Sequence, residues 1–154
     1  MTFSIPQRQD AGISLSMNAS LFDAIVKHLA AALPNEGVCL VATVATGEAE
    51  RATAFFPGTN LDHSPTRYTM DPAEVMAAFR VIGANGWRLG AIAHSHASSG
   101  PTPSATDLQE AFYPDAFMLI VGFINGVAAA RLWRTPLDRT ANGVREARLV
   151  IEDA

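Results

Sequence analysis

Two histidines and an aspartate stand at a spacing that could bind a metal ion. Residues 88–96 form an apolar run that predicts a strand, and His94 and His96, two residues apart on it, project from one face. A loop rich in Gly, Pro and Ser follows, and Asp107 lies in the first turn of a short helix predicted after Ser104. If the loop turns back, Asp107 brings a carboxylate to the two imidazoles. Two histidines and one carboxylate leave one zinc position for water, as in hydrolytic rather than structural sites.

Each of these features also has a simpler explanation. A pair of histidines on a strand can be polar surface, and Ser104 followed three residues later by Asp107 has the spacing of a helix capping box. The capping and ligand interpretations are compatible, because a cap fixes the turn that presents Asp107. The single cysteine, Cys39, lies in an apolar run and is predicted to be unreactive packing. It cannot form an internal disulfide or a thiolate-rich metal site.

The other candidate residues favour structural roles. His28 lies beside the apolar face of the first predicted helix, which indicates a packed or rim histidine. His63 falls in a polar loop and is predicted to be surface. Trp87 and Trp133 are predicted to lie in the core or on a face of the sheet.

Length and charge limit the classes of function. The chain has 154 residues, 49% of them apolar, which predicts one domain over residues 1–154 with a flexible arm at 1–10. A formal net charge of −4 argues against nucleic-acid binding through phosphate neutralisation. The start of the chain lacks the pattern of a signal peptide, and the apolar residues 117–130 are too short to span a bilayer as one helix. We therefore expect a cytoplasmic protein without membrane contact.

Periodicity and turn residues predict hairpins with helices between some of them. A helix follows Ser20, which is predicted to cap it, and Pro34 is predicted to end it. A second helix begins at Asp71-Pro72, is predicted to end at Gly83 and Gly86, and has an apolar stripe. The strands are predicted over residues 13–17, 36–46, 48–56, 88–96, 117–124, 127–134 and 144–151, with a helix as the alternative for the last segment. The stripe consists of Val75, Met76, Phe79 and Ile82. The predicted class is α+β, with a mixed, mainly antiparallel β-sheet flanked by α-helices.

Residues 94–107 resemble the signature of the JAMM (MPN-type) zinc metallopeptidases. That signature is H-x-H, then seven residues, a serine, two residues and an aspartate. The resemblance extends over roughly residues 13–134, and the architecture that it implies is the cytidine-deaminase-like JAMM fold. Upstream and downstream segments are also similar to the family: Pro34-Asn35-Glu36, Asn60, Tyr68, Asp71-Pro72, residues 103–108 and the apolar residues 118–121. Two departures are Ala97, where a proline commonly follows the second histidine, and Val38-Cys39-Leu40, where the family usually has a Cys-Gly pair.

The resemblance implies the roles of the site residues. One Zn²⁺ per chain would be held by His94, His96 and Asp107. Glu36, which without this context would be solvated surface, would be the general base, and Ser104 would hydrogen-bond the developing oxyanion.

The resemblance also implies a substrate. Compact prokaryotic members are similar to enzymes that cut after the C-terminal Gly-Gly of a ubiquitin-like or sulfur-carrier protein. That carrier protein would be the partner. The resemblance leaves open whether the chain forms a homodimer. The alternatives are a non-catalytic binding module of the same fold and a RadC-like domain associated with DNA. The complete ligand set counts against the first, and the acidic charge counts against the second.

Overall fold

A computed structural model describes residues 14–47, 49–110, 113, 115–134 and 144–153. The predicted arm at residues 1–10 lies outside this part of the chain. In chain order the elements are β1 (Ser14–Asn18), α1 (Ala19–Ala31), β2 (Val38–Thr46), β3 (Ala49–Gly58), α2 (Pro72–Ala84), β4 (Arg88–His96), α3 (Ala105–Gln109), β5 (Phe117–Ile124), β6 (Val127–Arg134) and β7 (Arg145–Glu152).

The strands form a closed barrel in the order β1-β3-β2-β4-β5-β6-β7, with β7 paired back to β1. The pairs β1–β3, β1–β7 and β4–β5 are parallel, and β2–β3, β2–β4, β5–β6 and β6–β7 are antiparallel. The prediction of an α+β fold with a mixed sheet is therefore confirmed. The closure of the sheet was not predicted, because it depends on the pairing of the first strand with the last.

Helix α1 lies on the inner face of the curved sheet. Its Ile25 and Leu29 are fully buried in one cluster with Val41, Leu119 and Leu149 from three strands. Burying a side chain of this size contributes roughly 1.5–3 kcal/mol, so this cluster is a major source of stability. It leaves the outer face of β2, β4 and β5 for a second layer.

That second layer is α2 and the segment before it. Val38 and Leu40 of β2 form a separate buried cluster with Met70 and with Ala78 of α2, and Ile92 of β4 packs against it. Val38 is paired with His94 across the β2–β4 ladder, and paired residues project from the same face. The predicted ligand histidines therefore lie on the face of the sheet that α2 covers.

Two predictions about helix α1 are wrong. The helix begins at Ala19, and its N-cap is Asn18 in an extended conformation, so Ser20 lies inside the helix. Strand β1 runs directly into the helix, and this continuity outweighs the preference of serine for a cap. The helix ends at Ala31, before Leu33, which is 38% exposed.

Helix α2 confirms one prediction and corrects another. The Asp71 carboxylate caps it by accepting from the backbone N–H of Ala73 (2.9 Å). The helix continues through Gly83 to Ala84, and Met76 is 59% exposed while Ala78 and Ile82 are buried. The predicted apolar stripe was therefore partly wrong.

The hairpin between β5 and β6 is confirmed. Asn125 and Gly126 have φ values of 54° and 78°, the positive values that a type I′ turn requires at both central residues. A further correction concerns β2, which begins at Val38, so that Glu36 precedes the strand rather than opening it.

Candidate metal centre

The structure brings His94, His96 and Asp107 together in a buried group on the outer face of the barrel. Each offers one ligand atom, and these atoms all lie within 4.8 Å of one another. The histidines lie at the C-terminal end of strand β4, and Asp107 lies in the first turn of α3. The convergence predicted from the spacing is confirmed as geometry.

The distances within the group fit a small cation. Nε2 of His94 lies 3.2 Å from Oδ1 of Asp107, and Nε2 of His96 lies 3.0 Å from Oδ2. Ligand atoms around tetrahedral zinc are roughly 3.4 Å apart for bonds of about 2.1 Å. Both ring nitrogens of His94 are buried and lack a hydrogen bond among the described residues, although Nε2 lies near the Asp107 carboxylate. Buried polar atoms left without partners are what a metal ion would satisfy.

The ring of His96 is fixed by a backbone carbonyl. Nδ1 of His96 donates to the carbonyl oxygen of Gly100 (2.8 Å). In the neutral ring this assignment leaves the lone pair of Nε2 facing the Asp107 carboxylate, so a proton or a metal ion must lie between the two electron-rich atoms. Burial alone would lower the pKa of His96, but the hydrogen bonds with Asp107 and Gly100 raise it.

Asp107 serves the helix and the site together. Its backbone N–H donates to Oγ of Ser104 (3.0 Å), and its Oδ2 accepts from the backbone N–H of Ser104 (2.9 Å), which completes a capping box. The predicted capping box is thus confirmed, and the same carboxylate lies within the group of candidate ligand atoms. Burial disfavours the carboxylate, but the contacts with His94 and His96 outweigh it and hold the pKa of Asp107 well below its ordinary value.

Glu36 lies beside this group in a segment whose backbone is fixed on several sides. Its N–H donates to the carbonyl of Ser64 (2.8 Å), and its own carbonyl accepts from Nδ2 of Asn60 (3.0 Å). Next to it, the N–H of Gly37 donates to Oγ of Ser95 (2.8 Å), and the N–H of Ser95 donates back to the carbonyl of Gly37 (3.1 Å). These bonds tie the segment to β4 at the residue between the two histidines.

The carboxylate of Glu36 is itself unpaired. Glu36 is only 2% exposed, and its Oε1 lacks a hydrogen-bond partner in the described part of the chain. Burial, then the charge of Asp107, raises the pKa of Glu36 to about 7, against a smaller lowering by His96. A buried carboxyl group with a pKa near neutrality is suited to accept and release a proton.

The remaining candidates lie away from the group. Nε2 of His28 contacts the carbonyl oxygen of Val38 (2.9 Å) at the edge of α1, and His63 is an exposed loop residue, as predicted. Cys39 is fully buried on the inner face, and burial raises the pKa of its thiol to about 12, which confirms its prediction as packing. The half-buried Trp87 stands before β4, at the end remote from the site.

Sequence reasoning missed the residues that hold the neighbouring backbone. Ser95 was passed over between two histidines, although a serine flanked by candidate ligands on a strand must face the other side of the sheet. The side chain of Trp133 was predicted only as packing, yet its Nε1 donates to the carbonyl of Pro101 (2.8 Å) in the loop after His96. No signal in the sequence indicates that contact, since the two residues are 32 positions apart and belong to different elements.

A cleft of about 310 Å³ opens between α2 and the sheet beside the site. Val38 and Ile92 line its floor and Phe79 its wall, while Tyr68 and Glu110 bring polar atoms to the lining. The Tyr68 ring lies 5.1 Å from the ring of His94, so this cleft reaches the metal centre. It offers an apolar surface on which a substrate segment could lie.

A closed mixed barrel with helix α1 packed against it and a buried His-His-Asp group on its outer face defines the class of fold and site. Residues 18–135 match the model of the prokaryotic homologs of the JAB domain, and the chain belongs to this family. It is a compact member of the JAMM (MPN-type) proteins, as the sequence predicted.

Relatives of named activity cover most of the chain. A desampylase from Haloferax volcanii is 30% identical over 142 residues, which is 90% of this chain and 96% of the relative. A CysO-cysteine peptidase from Mycobacterium tuberculosis is 33% identical over 107 residues, 70% of this chain and 72% of the relative.

Two solved structures share the fold. A protein from Desulfitobacterium hafniense, solved in solution, has a TM-score of 0.80 and 27% identity, covering 91% of this chain and 94% of its own. A protein from Salinibacter ruber has a TM-score of 0.68 and 27% identity, covering 90% and 92%. Within the part of the chain that the structure describes, no helix is long and apolar enough to cross a membrane.

Proposed function

We propose that this protein is a zinc-dependent peptidase or isopeptidase that cuts after the C-terminal Gly-Gly of a ubiquitin-like or sulfur-carrier protein. The observation that carries the proposal is the convergence of His94, His96 and Asp107 beside the unpaired, buried carboxylate of Glu36. The names of the relatives, desampylase and CysO-cysteine peptidase, support a hydrolase acting on such carriers.

His94, His96 and Asp107 would hold the zinc ion, one per chain. When bound there, zinc would supply Lewis acidity, which lowers the pKa of a bound water and polarises a carbonyl oxygen. The single-cysteine sequence and the nitrogen and oxygen donors of the site fit zinc in a hydrolytic rather than a structural role.

Glu36 would act as the general base and then as the general acid. Its unpaired carboxylate takes a proton from the attacking water and delivers it to the leaving amine as the C–N bond breaks. Ser64 and Asn60 hold the backbone of Glu36, so its side chain starts from a fixed main-chain position while its carboxylate has no partner of its own among the described residues. That arrangement favours a group that exchanges protons rather than one that stabilises the fold.

Ser104 would donate a hydrogen bond to the oxyanion. Its Oγ accepts from the backbone of Asp107, and this contact leaves the hydroxyl proton for a substrate oxygen. One donor of this kind contributes about 3 kcal/mol to transition-state stabilisation.

The test combines metal analysis with a cleavage assay. Purified protein is expected to contain about one zinc per chain, because three protein ligands hold zinc tightly. It is expected to release the carrier from Gly-Gly-tailed fusions, linked either through a peptide bond or to a lysine or cysteine amine. Mass spectrometry of the products identifies the bond that is cut. Zinc binding without cleavage of any such fusion would favour the binding-module alternative.

A further inference from the structure

We infer that Trp133 and Gly122 are positioning residues that hold the loop after β4 so that Gly100 orients His96 for metal binding. The inference rests on the metal centre of the proposed function. It concerns residues of β5 and β6, which are outside the His-x-His and Ser-x-x-Asp motif and contribute no ligand.

The loop in question links the second histidine to α3. It leaves β4 after His96, and the carbonyl of Gly100 then accepts the Nδ1 proton of His96 (2.8 Å). This hydrogen bond selects the tautomer whose Nε2 lone pair is available to a metal ion. The orientation of the His96 ring therefore depends on the position of the Gly100 carbonyl group.

Gly122 provides the surface on which the loop lies. It is paired with His96 across the parallel β4–β5 ladder, so the loop that leaves His96 crosses directly over it. A Cβ atom at this position would lie 2.4 Å from the carbonyl oxygen of Ser99, 2.8 Å from the carbonyl carbon of Gly100 and 2.9 Å from the nitrogen of Pro101. All three are backbone atoms, so any side chain here would displace the loop and the carbonyl of Gly100 with it.

Trp133 fixes the loop from the next strand. It is half-buried on β6, and its Nε1 donates to the carbonyl of Pro101 (2.8 Å). Pro101 has a locked φ angle and follows Gly100 directly, so a restraint on its carbonyl also restrains the preceding peptide group. Trp133 is paired with Met118 of β5, and Met118 lies on the same face of the sheet as Gly122. Gly122 and the indole of Trp133 therefore contact the loop from the same side.

A single substitution tests the hydrogen bond. Trp133→Phe keeps an aromatic ring and removes the indole N–H. The matched control is Trp87→Phe, the same change at a half-buried position before β4 and remote from the loop. The measurements are the zinc dissociation constant, by competition with a chromophoric chelator, and the visible absorption of the Co²⁺-substituted protein.

We expect Trp133→Phe to weaken zinc binding by about tenfold, the lower end of the effect of outer-shell partners, and to change the Co²⁺ spectrum. Trp87→Phe is expected to leave both unchanged. A purely structural role of Trp133 would lower the melting temperature of the metal-free protein without moving either readout. Zinc affinity for Trp133→Phe within twofold of Trp87→Phe would overturn the inference.

A second pair of variants decides the question if Trp133→Phe fails to fold. Gly122→Ala is expected to weaken zinc binding by at least the same factor, while Gly83→Ala on α2, where a Cβ meets nothing within 4 Å, serves as its control. Equal zinc affinity of these two variants would reject the inference and leave the proposed function intact. Absence of zinc binding by the unmodified protein would instead reject the proposed function itself.

Discussion

The two ends of β4 each carry a cluster of buried polar side chains, and the clusters differ in how completely these are paired. At the first end, the hydroxyl of Thr43 donates to the carboxylate of Glu50, and Nε of Arg88 lies 3.1 Å from the same carboxylate. At the other end, His94 and Glu36 keep buried atoms without hydrogen bonds in the described residues. A paired cluster needs nothing further, whereas an unpaired one retains a desolvation cost that only a ligand can remove.

A glycine lies near each end of β4, and each of the two leaves space for a different neighbouring group. A Cβ on Gly90 would lie 2.1 Å from Oγ1 of Thr43, so that glycine accommodates one side chain. A Cβ on Gly122 would meet the backbone of the loop after His96. The first glycine permits a closed polar contact within the barrel wall, and the second permits a chain segment that orients a ligand. The comparison predicts that the first end contributes stability and the second end contributes chemistry.

The largest expected effect separates metal binding from helix capping. Asp107→Ala removes one of three ligands and should reduce zinc from about one per chain to a trace after dialysis against a chelator, because two protein ligands seldom hold zinc. Asp71→Ala, which removes the cap of α2, should cost about 1 kcal/mol of stability and keep its zinc. Elemental analysis and thermal unfolding of both variants check this, and full zinc retention by Asp107→Ala would remove that residue from the site.

The next effect contrasts the two buried glutamates. Glu36→Gln keeps the shape of the side chain but cannot accept a proton, so turnover should fall by about 10²- to 10⁴-fold with zinc retained. Glu50→Gln should leave turnover within about threefold, because it lies at the opposite end of β4, and should lower the free energy of unfolding instead. A loss below tenfold for Glu36→Gln would exclude Glu36 as the principal base.

A third prediction concerns the pH dependence of stability in the metal-stripped protein. The folded state raises the pKa of Glu36 from 4.5 to about 7, so it binds this proton more tightly than the unfolded chain does. The folded state therefore loses stability as pH rises from about 4.5 to about 7, by up to roughly 3 kcal/mol. The Glu36→Gln variant lacks the titrating carboxyl group, so it should not lose stability in this way.

Urea unfolding of both proteins at several pH values gives the measurement. The stability advantage of Glu36→Gln over the unmodified protein should be small near pH 4.5 and should grow toward pH 7. Glu50→Gln, the same change at the paired end of β4, is measured beside them as the matched substitution. If the free energies of unfolding of Glu36→Gln and of the unmodified protein change in parallel with pH, the raised pKa of Glu36 is contradicted.

The smallest effect concerns the substrate tail. Strand β4 is paired on both sides, with β2 and β5, so an extended tail of the proposed substrate could not add a strand beside it and would pass instead between the loops and the cleft next to the metal centre. A narrow path of this kind favours glycine, because glycine lets the chain pass close to backbone. Replacing the penultimate tail glycine by valine should reduce cleavage at least tenfold, measured as initial rates on matched fusions. Equal rates would indicate a broader peptidase with the same metal chemistry.

The sequence predicted what is encoded locally. His94, His96 and Asp107 follow from the period of a strand and the spacing of a cap, and the turn at Asn125-Gly126 follows from two residues that tolerate positive φ. These features depend on neighbours along the chain, so periodicity and turn chemistry were sufficient to find them.

The features that the sequence did not reveal depend on long-range contacts. The pairing of β1 with β7 closes the barrel, Asn60 holds the backbone of Glu36, and Trp133 of β6 reaches Pro101 in the loop after β4. Locally, Ser20 was as good a cap as Asn18, and only the path of β1 into α1 decided between them. Such contacts are set by the register of distant strands, which composition and periodicity leave open.

The bonds between Gly37 and Ser95 join residues 58 positions apart, whereas the three ligand residues all lie between positions 94 and 107. Short-range contacts close quickly during folding, and contacts between distant segments cost more loop entropy and form later. Assembly of the His-His-Asp group and placement of Glu36 beside it therefore depend on contacts of different range along the chain. His94, His96 and Asp107 belong to one short stretch of the chain, but Glu36 reaches them only when β2 has docked on β4. A chain in which that docking failed would lack the proposed base even if it held a metal ion, and it would not carry out the proposed hydrolysis.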